Sequence, residues 1–339
     1  MPDDYLWDPR ADPDLEVVRL EALLRPVAYR PAPLREGAIV AQRLRFTRAS
    51  SWMALAAGVV LAAGALYSVG RTPATPWTVT ASKGIPVVLR ATRLPADRSP
   101  DRALAKGDVL ETDARSVAVL AVGRIGRAEL GPGSRLRLLD DGVAEHRLAL
   151  ERGTMHASID APPRFFLVET ASALAVDLGC IYTLTVDEWG SGLLTVEEGE
   201  VELQLGDVRT SVLAGNAAAL HAGSGPGLPY PVHASDALRR AVAAYDAHPA
   251  SLATIDAVIG AADARSTITL WHLLQRTGPA ARARVFARLA AIAPPPASVT
   301  RERVLRGESG ALQRWRTDLQ PAWALEPPVW RRAWNAVRR

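Results

Sequence analysis

The side chains with the chemistry to act are few, and their spacing gathers none of them into a working set. Six histidines, His146, His156, His221, His233, His248 and His272, stand without the short intervals that bring three or four ligands round a metal ion. His146 and His156 fall on possible neighbouring strands, and two ligands do not complete a site. No Gly-x-x-x-x-Gly-Lys phosphate cradle and no His-Glu-x-x-His pair occurs. Gly307-Glu308-Ser309-Gly310-Ala311 has the outline of a nucleophile elbow, but the Gly-x-Ser-x-Gly spacing fails and no strand leads into it. Gly131-x-Gly133 and Gly223-x-Gly225-x-Gly227 lack the strand–loop–helix setting of a dinucleotide site. The paired carboxylates Asp140-Asp141 and Glu197-Glu198 fall at expected turns, where solvated charge is the default. The single cysteine, Cys180, excludes an internal disulfide. Its setting, Asp177-Leu178-Gly179-Cys180-Ile181, is that of a small buried hydrophobe; a reactive thiol needs an accessible, electropositive one. The expectation is no catalytic residue, no metal, no cofactor and no enzymatic activity.

What remains is the chemistry of apolar recognition. Asp12-Pro13-Asp14 starts a helix well: Asp12 caps, Pro13 suits the first position, and Asp14 and Glu16 favour the positive end of the dipole. Val17, Leu20, Leu24 and Val27 then recur at helical spacing, with Leu23 widening the stripe. Upstream, Leu6 and Trp7 sit in an acidic context of Asp3, Asp4 and Asp8. A segment this short cannot bury its own apolar face. The face docks on a partner, lies on a membrane, or belongs to a marginal helix in a frayed tail; the acidic surroundings disfavour an anionic leaflet. Leu6, Trp7, Val17, Leu20 and Leu24 are the candidate partner-binding residues.

From Trp52 to Val69 there is no charged residue, and Trp52 and Tyr67 mark the two ends. The run just reaches the ~20 apolar residues that a spanning helix needs. About fifty residues precede it, too many for an ordinary signal peptide, which sits within roughly the first 15–30 residues. A buried core helix would carry polar residues on one face. Arg30, Arg35, Arg43, Arg45 and Arg48 precede the run, opposed only by Glu36, whereas Arg71 and Lys83 are the nearby cations beyond it. Basic flanks stay in the cytoplasm, so the expectation is a single-pass inner-membrane protein with its N-terminus inside and its larger part outside. The net charge of +4 is mostly arginine and does not imply nucleic acid, which most of the chain would not meet.

Residues 71–76, with two prolines, read as an extended linker. From residue 77 to about residue 222 the periodicity is two. Strands are predicted at 116–122, 135–139, 147–150, 166–168, 182–186, 193–196 and 201–205, separated by Gly- and Asp-rich turns. A mainly antiparallel sandwich and an irregular solenoid of sheets both fit. Residues 223–234 read as a second linker. Helical spacing then predicts helices at 236–247, 252–262, 267–276 and 282–292, and a further one at 301–306 or 312–319, within a helical region 235–339. Its C-terminal mixture of Trp315, Trp323, Trp330 and Trp334 with arginines suits helix packing better than an anionic surface, because Pro321, Pro327 and Pro328 break a long amphipathic helix. The fold class is therefore α+β in several parts: cytoplasmic segment 1–50, span 51–70, β-rich domain 77–222 and helical region.

Lys106–Thr112, Arg147–Gly153, Leu193–Leu203 and Val212–Asn216 together give the β-rich region a pattern that resembles the FecR family of transmembrane sigma-factor regulators. Lys106-Gly107-Asp108-Val109-Leu110-Glu111-Thr112 is similar to the family's G-x-x-L-x-T opening and is followed by Ser116 and an alternating strand. Arg147–Gly153 is similar to the mid-domain strand and its glycine. Leu193-Leu194-Thr195-Val196-Glu197-Glu198-Gly199-Glu200-Val201-Glu202-Leu203 resembles the V-x-V-x-x-G-x-V hairpin, and Val212-Leu213-Ala214-Gly215-Asn216 the closing element. One departure is Gly179-Cys180-Ile181-Tyr182, where the family commonly has Gly-Thr before a phenylalanine strand. The resemblance covers roughly residues 80–220; the 3–24 stretch and the Thr269–Leu274 helix are similar to parts of FecR-domain proteins with helical extensions. It implies a cytoplasmic sigma factor bound by the inner segment, a signal received outside from a protein or ligand, and no catalytic residues. The alternatives are a membrane-tethered envelope scaffold with an idle inner tail and an anchored envelope enzyme.

Overall fold

The computed structural model describes residues 77–91, 103–142 and 145–323. The predicted inner segment, span and first linker lie outside the described residues, as do residues 324–339. Among the described residues no helix is long and apolar enough to cross a membrane.

The β-rich part begins with β1 (Trp77–Lys83), β2 (Val87–Leu89), β3 (Ala103–Leu104), β4 (Val109–Glu111), β5 (Val117–Val122) and β6 (Gly126–Leu130). It continues through β7 (Arg135–Asp141), β8 (His146–Ile159), β9 (Phe166–Glu169), β10 (Leu174–Asp177), β11 (Ile181–Val186) and β12 (Gly192–Glu198). β13 (Glu200–Leu205), β14 (Val208–Leu213), β15 (Asn216–His221), β16 (Gly225–Pro226) and β17 (Tyr230–Pro231) complete it. One ladder runs β3-β1-β5-β6-β8-β11-β12-β15, with β16 and β17 both on β15. The other runs β2-β4-β7-β8-β9-β10-β13-β14. Only the β8–β9 pairing is parallel among the described strands. Both ladders turn their inward residues into one buried cluster, Leu120, Leu130, Met155, Tyr182 and Leu194 from the first meeting Leu110, Leu136, Leu148, Phe166 and Val201 from the second. The two arrangements left open by the sequence thus combine: the core is that of a sandwich, and the chain alternates between ladders like a coil.

The crossing point is β8. Its first half pairs with β7 up to Arg152, and from Gly153 its second half pairs with β11 and β6. Gly153 has φ +95°, and a Cβ there would collide with Ser134. Only glycine meets both demands. The polar run Glu151-Arg152-Gly153-Thr154 hides this continuity, which is why the sequence predicts a strand of four residues where the structure has 14. The bend is held by buried hydroxyls. Thr112 Oγ1 donates to Gly131 O at 2.7 Å and accepts from Ser134 N at 2.9 Å, and Ser134 Oγ accepts from Thr154 N at 3.0 Å.

The helices are α1 (Asp236–Ala247), α2 (Leu252–Ala261), α3 (Thr267–Arg276), α4 (Pro279–Ile292), α5 (Arg301–Leu305) and α6 (Ser309–Trp323). Ser235 caps α1 by accepting from Leu238 N at 3.2 Å. α4 starts three residues before the predicted 282, because Pro279 occupies the first turn, where its missing N–H costs nothing. Both sequence alternatives for the last helix exist, as α5 and α6. Pro321 does not break the chain's helical run, contrary to expectation; it lies inside α6. The ~3 kcal/mol that an interior proline costs is offset by burial of Trp315, Leu319 and Trp323 on one face.

Candidate functional site

The stretch read as a second linker is where the helices meet the sandwich. Leu213 and Leu228, both from the β-rich part, belong to the apolar cluster of the helical region, with Leu270, Trp271, Phe286 and Trp315. Phe286 and Trp271 set their rings edge-on to Trp315, with centroids at 5.3 and 6.2 Å. Trp315 and Trp323 thus serve packing, as the sequence suggests, while Trp330 and Trp334 lie outside the described residues.

Polar groups close the rest of the seam. Asp246, buried at the end of α1, accepts from Leu228 N at 3.0 Å and lies 3.1 Å from His221 Nε2 on β15. A Cβ at Gly227 would collide with that carboxylate, so the glycine permits its approach. Burial raises the Asp246 pKa above the ordinary carboxylate value, opposed by the Leu228 N–H and by His221. Arg276 at the end of α3 donates to Pro226 O at 3.1 Å and to Thr210 Oγ1. Arg316 of α6 reaches Glu200 at 3.2 Å and Ser211 Oγ at 3.1 Å. His272 is enclosed between these arginines; burial first, then Arg276 and Arg316, push its pKa down to about 3. Its Nε2 has no hydrogen-bond partner among the described residues.

Beside this network a cavity of about 310 Å³ opens between the start of β15, the residues after β17, the α2–α3 loop and the end of α6. Its floor is formed by Asn216, 2% exposed, and Trp323, whose indole donates to Thr267 Oγ1 at 3.1 Å. Its rim carries exposed His233, Asp263 and Arg265. Asp263 accepts from Arg265 N at 3.0 Å and Ser266 Oγ at 2.6 Å; the Ser266 hydrogen bond and these turn N–H groups hold its pKa below the ordinary value.

The sequence-derived candidates fare differently. Leu6, Trp7, Val17, Leu20 and Leu24 lie outside the described residues. His146 and His156 share one strand, β8, rather than neighbouring ones. His146 turns inward to accept from Trp77 Nε1 at 3.2 Å, whereas His156 lies on the other ladder beside Thr183 and Glu197. Asp140-Asp141 and Glu197-Glu198 end strands β7 and β12 rather than occupying turns. Cys180 is buried as expected, but its thiol is also a hydrogen-bond donor, 3.0 Å from Asp177 Oδ1. Burial, then the adjacent Asp177 charge, push the thiol pKa far above its ordinary value. Asp177 itself is raised by burial to about 6. Asp246, Arg276, Arg265 and Asn216 escaped the sequence reading because they share no motif and come from four separate elements and loops.

No family model and no curated protein matches the chain. Two crystal structures, at 1.65 and 2.50 Å resolution, of a candidate anti-sigma factor from Parabacteroides distasonis are similar in part. Each is 15% identical with a TM-score of 0.32, over 36% of this chain. The chain spans 59% of the length of those proteins, and a likeness at this level assigns neither activity nor partner.

Proposed function

We propose that the chain is a FecR-like single-span regulator that couples a state of its outer region to a cytoplasmic sigma factor. The observation that carries the reading is where its FecR-like residues stand. Gly107 adopts φ +89° and presents Asp108, a buried carboxylate that accepts from Ala105 N at 2.9 Å, Ala91 N at 3.1 Å and Arg90 at 2.6 Å. Burial raises the Asp108 pKa, but these N–H groups and the guanidinium outweigh it and hold the carboxyl below its ordinary value. Thr112 ties the buried hydroxyl knot and Gly153 turns β8. Gly199 and Gly215 take φ +78° and +80° where the chain passes between ladders, from β12 to β13 and from β14 to β15. The hairpin expected at 193–203 is therefore a crossover, since its two strands do not pair with each other. The residues that carry the resemblance hold structural positions in this sandwich, which supports the reading.

Coupling needs a segment whose contacts differ between two states. Residues 1–50 are the part assigned to the sigma factor, through Leu6, Trp7, Val17, Leu20 and Leu24. The test is to tag the full chain in its native host, solubilise the membranes and assay the purified complex for sigma factors. A sigma factor recovered with the native chain, and absent with the Leu20→Glu/Leu24→Glu variant at equal membrane abundance, supports the proposal. Equal recovery with both, or none with either, refutes it and favours the membrane-tethered scaffold.

A further inference from the structure

The cavity beside the seam has polar walls whose bonding capacity is not spent. Asn216 is almost wholly enclosed, yet only its amide nitrogen is used. Nδ2 donates to Leu213 O at 3.0 Å, Ala214 O at 3.2 Å and Trp323 O at 2.7 Å. Among the described residues nothing donates to Oδ1. That oxygen is also not among the fully occluded, unpartnered atoms, so it opens to the cavity that the residue lines. An acceptor that faces a cavity and has no protein donor is free to take one from a ligand. Asp263 adds a second acceptor. Its Oδ1 is used by the Arg265 N–H and the Ser266 hydroxyl, and Oδ2 receives nothing among the described residues.

The complementary charge stands on the same rim. No carboxylate among the described residues lies within ion-pair distance of the Arg265 guanidinium, and His233 adds a second ring of N–H capacity. The same cavity is also lined by Trp323 and Pro231, which are apolar. The volume sits at the low end of the range for small-molecule sites, roughly 300–1,000 Å³. It suits a body the size of an amino acid and not that of a folded partner.

We infer that this cavity binds a small zwitterion of the α-amino-acid class, its ammonium on Asn216 Oδ1 and Asp263, its carboxylate on Arg265, and its apolar side chain against Trp323 and Pro231. The inference stands apart from the sigma-factor proposal, since it needs only the β15–β17 and helical residues. Its consequence for the fold is that the ligand would bridge β15, the α2–α3 loop and α6, so that occupancy strengthens the seam.

The test uses the purified full chain in detergent, titrated calorimetrically with each of the common amino acids, with N-acetyl and methyl-ester derivatives as blocked probes. Saturable binding of at least one amino acid is expected. It should weaken about tenfold to a hundredfold in Arg265→Ala, the range for losing a hydrogen bond to a charged group. The blocked derivative lacking either charge should bind at least about tenfold more weakly. Ala234→Trp, which places a bulky ring at a residue lining the cavity, should abolish binding in a variant whose cooperative melting transition shows that it still folds. No heat from any amino acid at concentrations up to roughly 10 mM, well above the millimolar Kd of a weak site, would overturn the inference. Binding that ignores both Arg265→Ala and Ala234→Trp, or that accepts blocked and free forms equally, would overturn it as well.

Discussion

His272 contributes a loss of folding stability on mild acidification. An unfolded histidine titrates near 6.5, whereas burial between Arg276 and Arg316 brings this one to about 3. Between those values the unfolded chain binds a proton that the folded chain refuses. The contribution of neutral His272 is therefore complete above pH 6.5 and is lost as pH falls below it. From pH 7 to pH 5 the loss is about 2 kcal/mol, at about 1.36 kcal/mol per pH unit once titration is under way.

A second buried group works in the opposite sense. Asp177 is raised by burial from 3.8 to about 6, so the folded state holds its proton more tightly than the unfolded one. That group adds stability as pH falls through 6, about 1.3 kcal/mol between pH 7 and 5. The two effects largely cancel, and the native protein should show a net change under about 1 kcal/mol from this pair. Variants separate them. His272→Gln should become more stable relative to the native chain by about 2 kcal/mol between pH 7 and 5, whatever its penalty at pH 7. Asp177→Asn should become relatively less stable by about 1.3 kcal/mol over the same interval. Urea denaturation followed by tryptophan fluorescence reads both, since Trp271, Trp315 and Trp323 all lie in the helical core beside His272. Other titrating groups, Asp246 and His146 among them, cancel in the difference between variant and native chain when the sites are independent. A His272→Gln difference that stays constant within about 0.5 kcal/mol from pH 7 to 5 would refute the argument.

The remaining predictions concern the bend, the seam and the thiol. Gly153→Ala combines a left-handed backbone with a collision against Ser134, and should destabilise the sandwich by about 2–4 kcal/mol in the same urea assay. Trp315→Ala removes a fully buried ring that meets both Trp271 and Phe286, and should cost about 3–5 kcal/mol. Hydrogen exchange should show that loss in β14 and β15 as well as in the helices, because Leu213 shares the helical core. Cys180 should resist alkylation at pH 8 in the native chain and react promptly in urea, since only the thiolate is nucleophilic and this thiol is buried beside a carboxylate. Labelling of the native chain at the unfolded rate would refute that account.

The sandwich was legible wherever inward and outward residues alternate without a break. β5 shows this, with Ala118, Leu120 and Val122 turned inward between partly exposed Val117, Val119 and Ala121. β8 was not legible as one element, because a strand that passes from one ladder to the other must put a glycine and polar neighbours where a simple strand would alternate. The helix boundaries at Asp236–Ala247 and Thr267–Arg276 followed directly from apolar spacing. The seam did not. Gly225–Pro231 carries the signature of a loose linker, and no local pattern distinguishes a glycine that permits free rotation from Gly227, which admits the Asp246 carboxylate.

That failure has a physical origin that also explains why the candidate site was hidden. Periodicity reports which face of one element is apolar, and it is blind to which polar residues from different elements come to share a buried volume. Asp246, Arg276 and Asn216 are ordinary polar positions in sequence. They become consequential only because Leu213 and Leu228 draw the helices onto β14 and β15, and the polar groups caught at that contact must then find partners. Asp246 finds Leu228 N and His221, and Arg276 finds Pro226 O and Thr210. Asn216 satisfies its amide nitrogen and leaves its oxygen facing a cavity. His272 Nε2 and Trp315 Nε1 are also without a partner among the described residues, but both are fully occluded. The Asn216 oxygen differs in facing a cavity, where an outside donor can reach it.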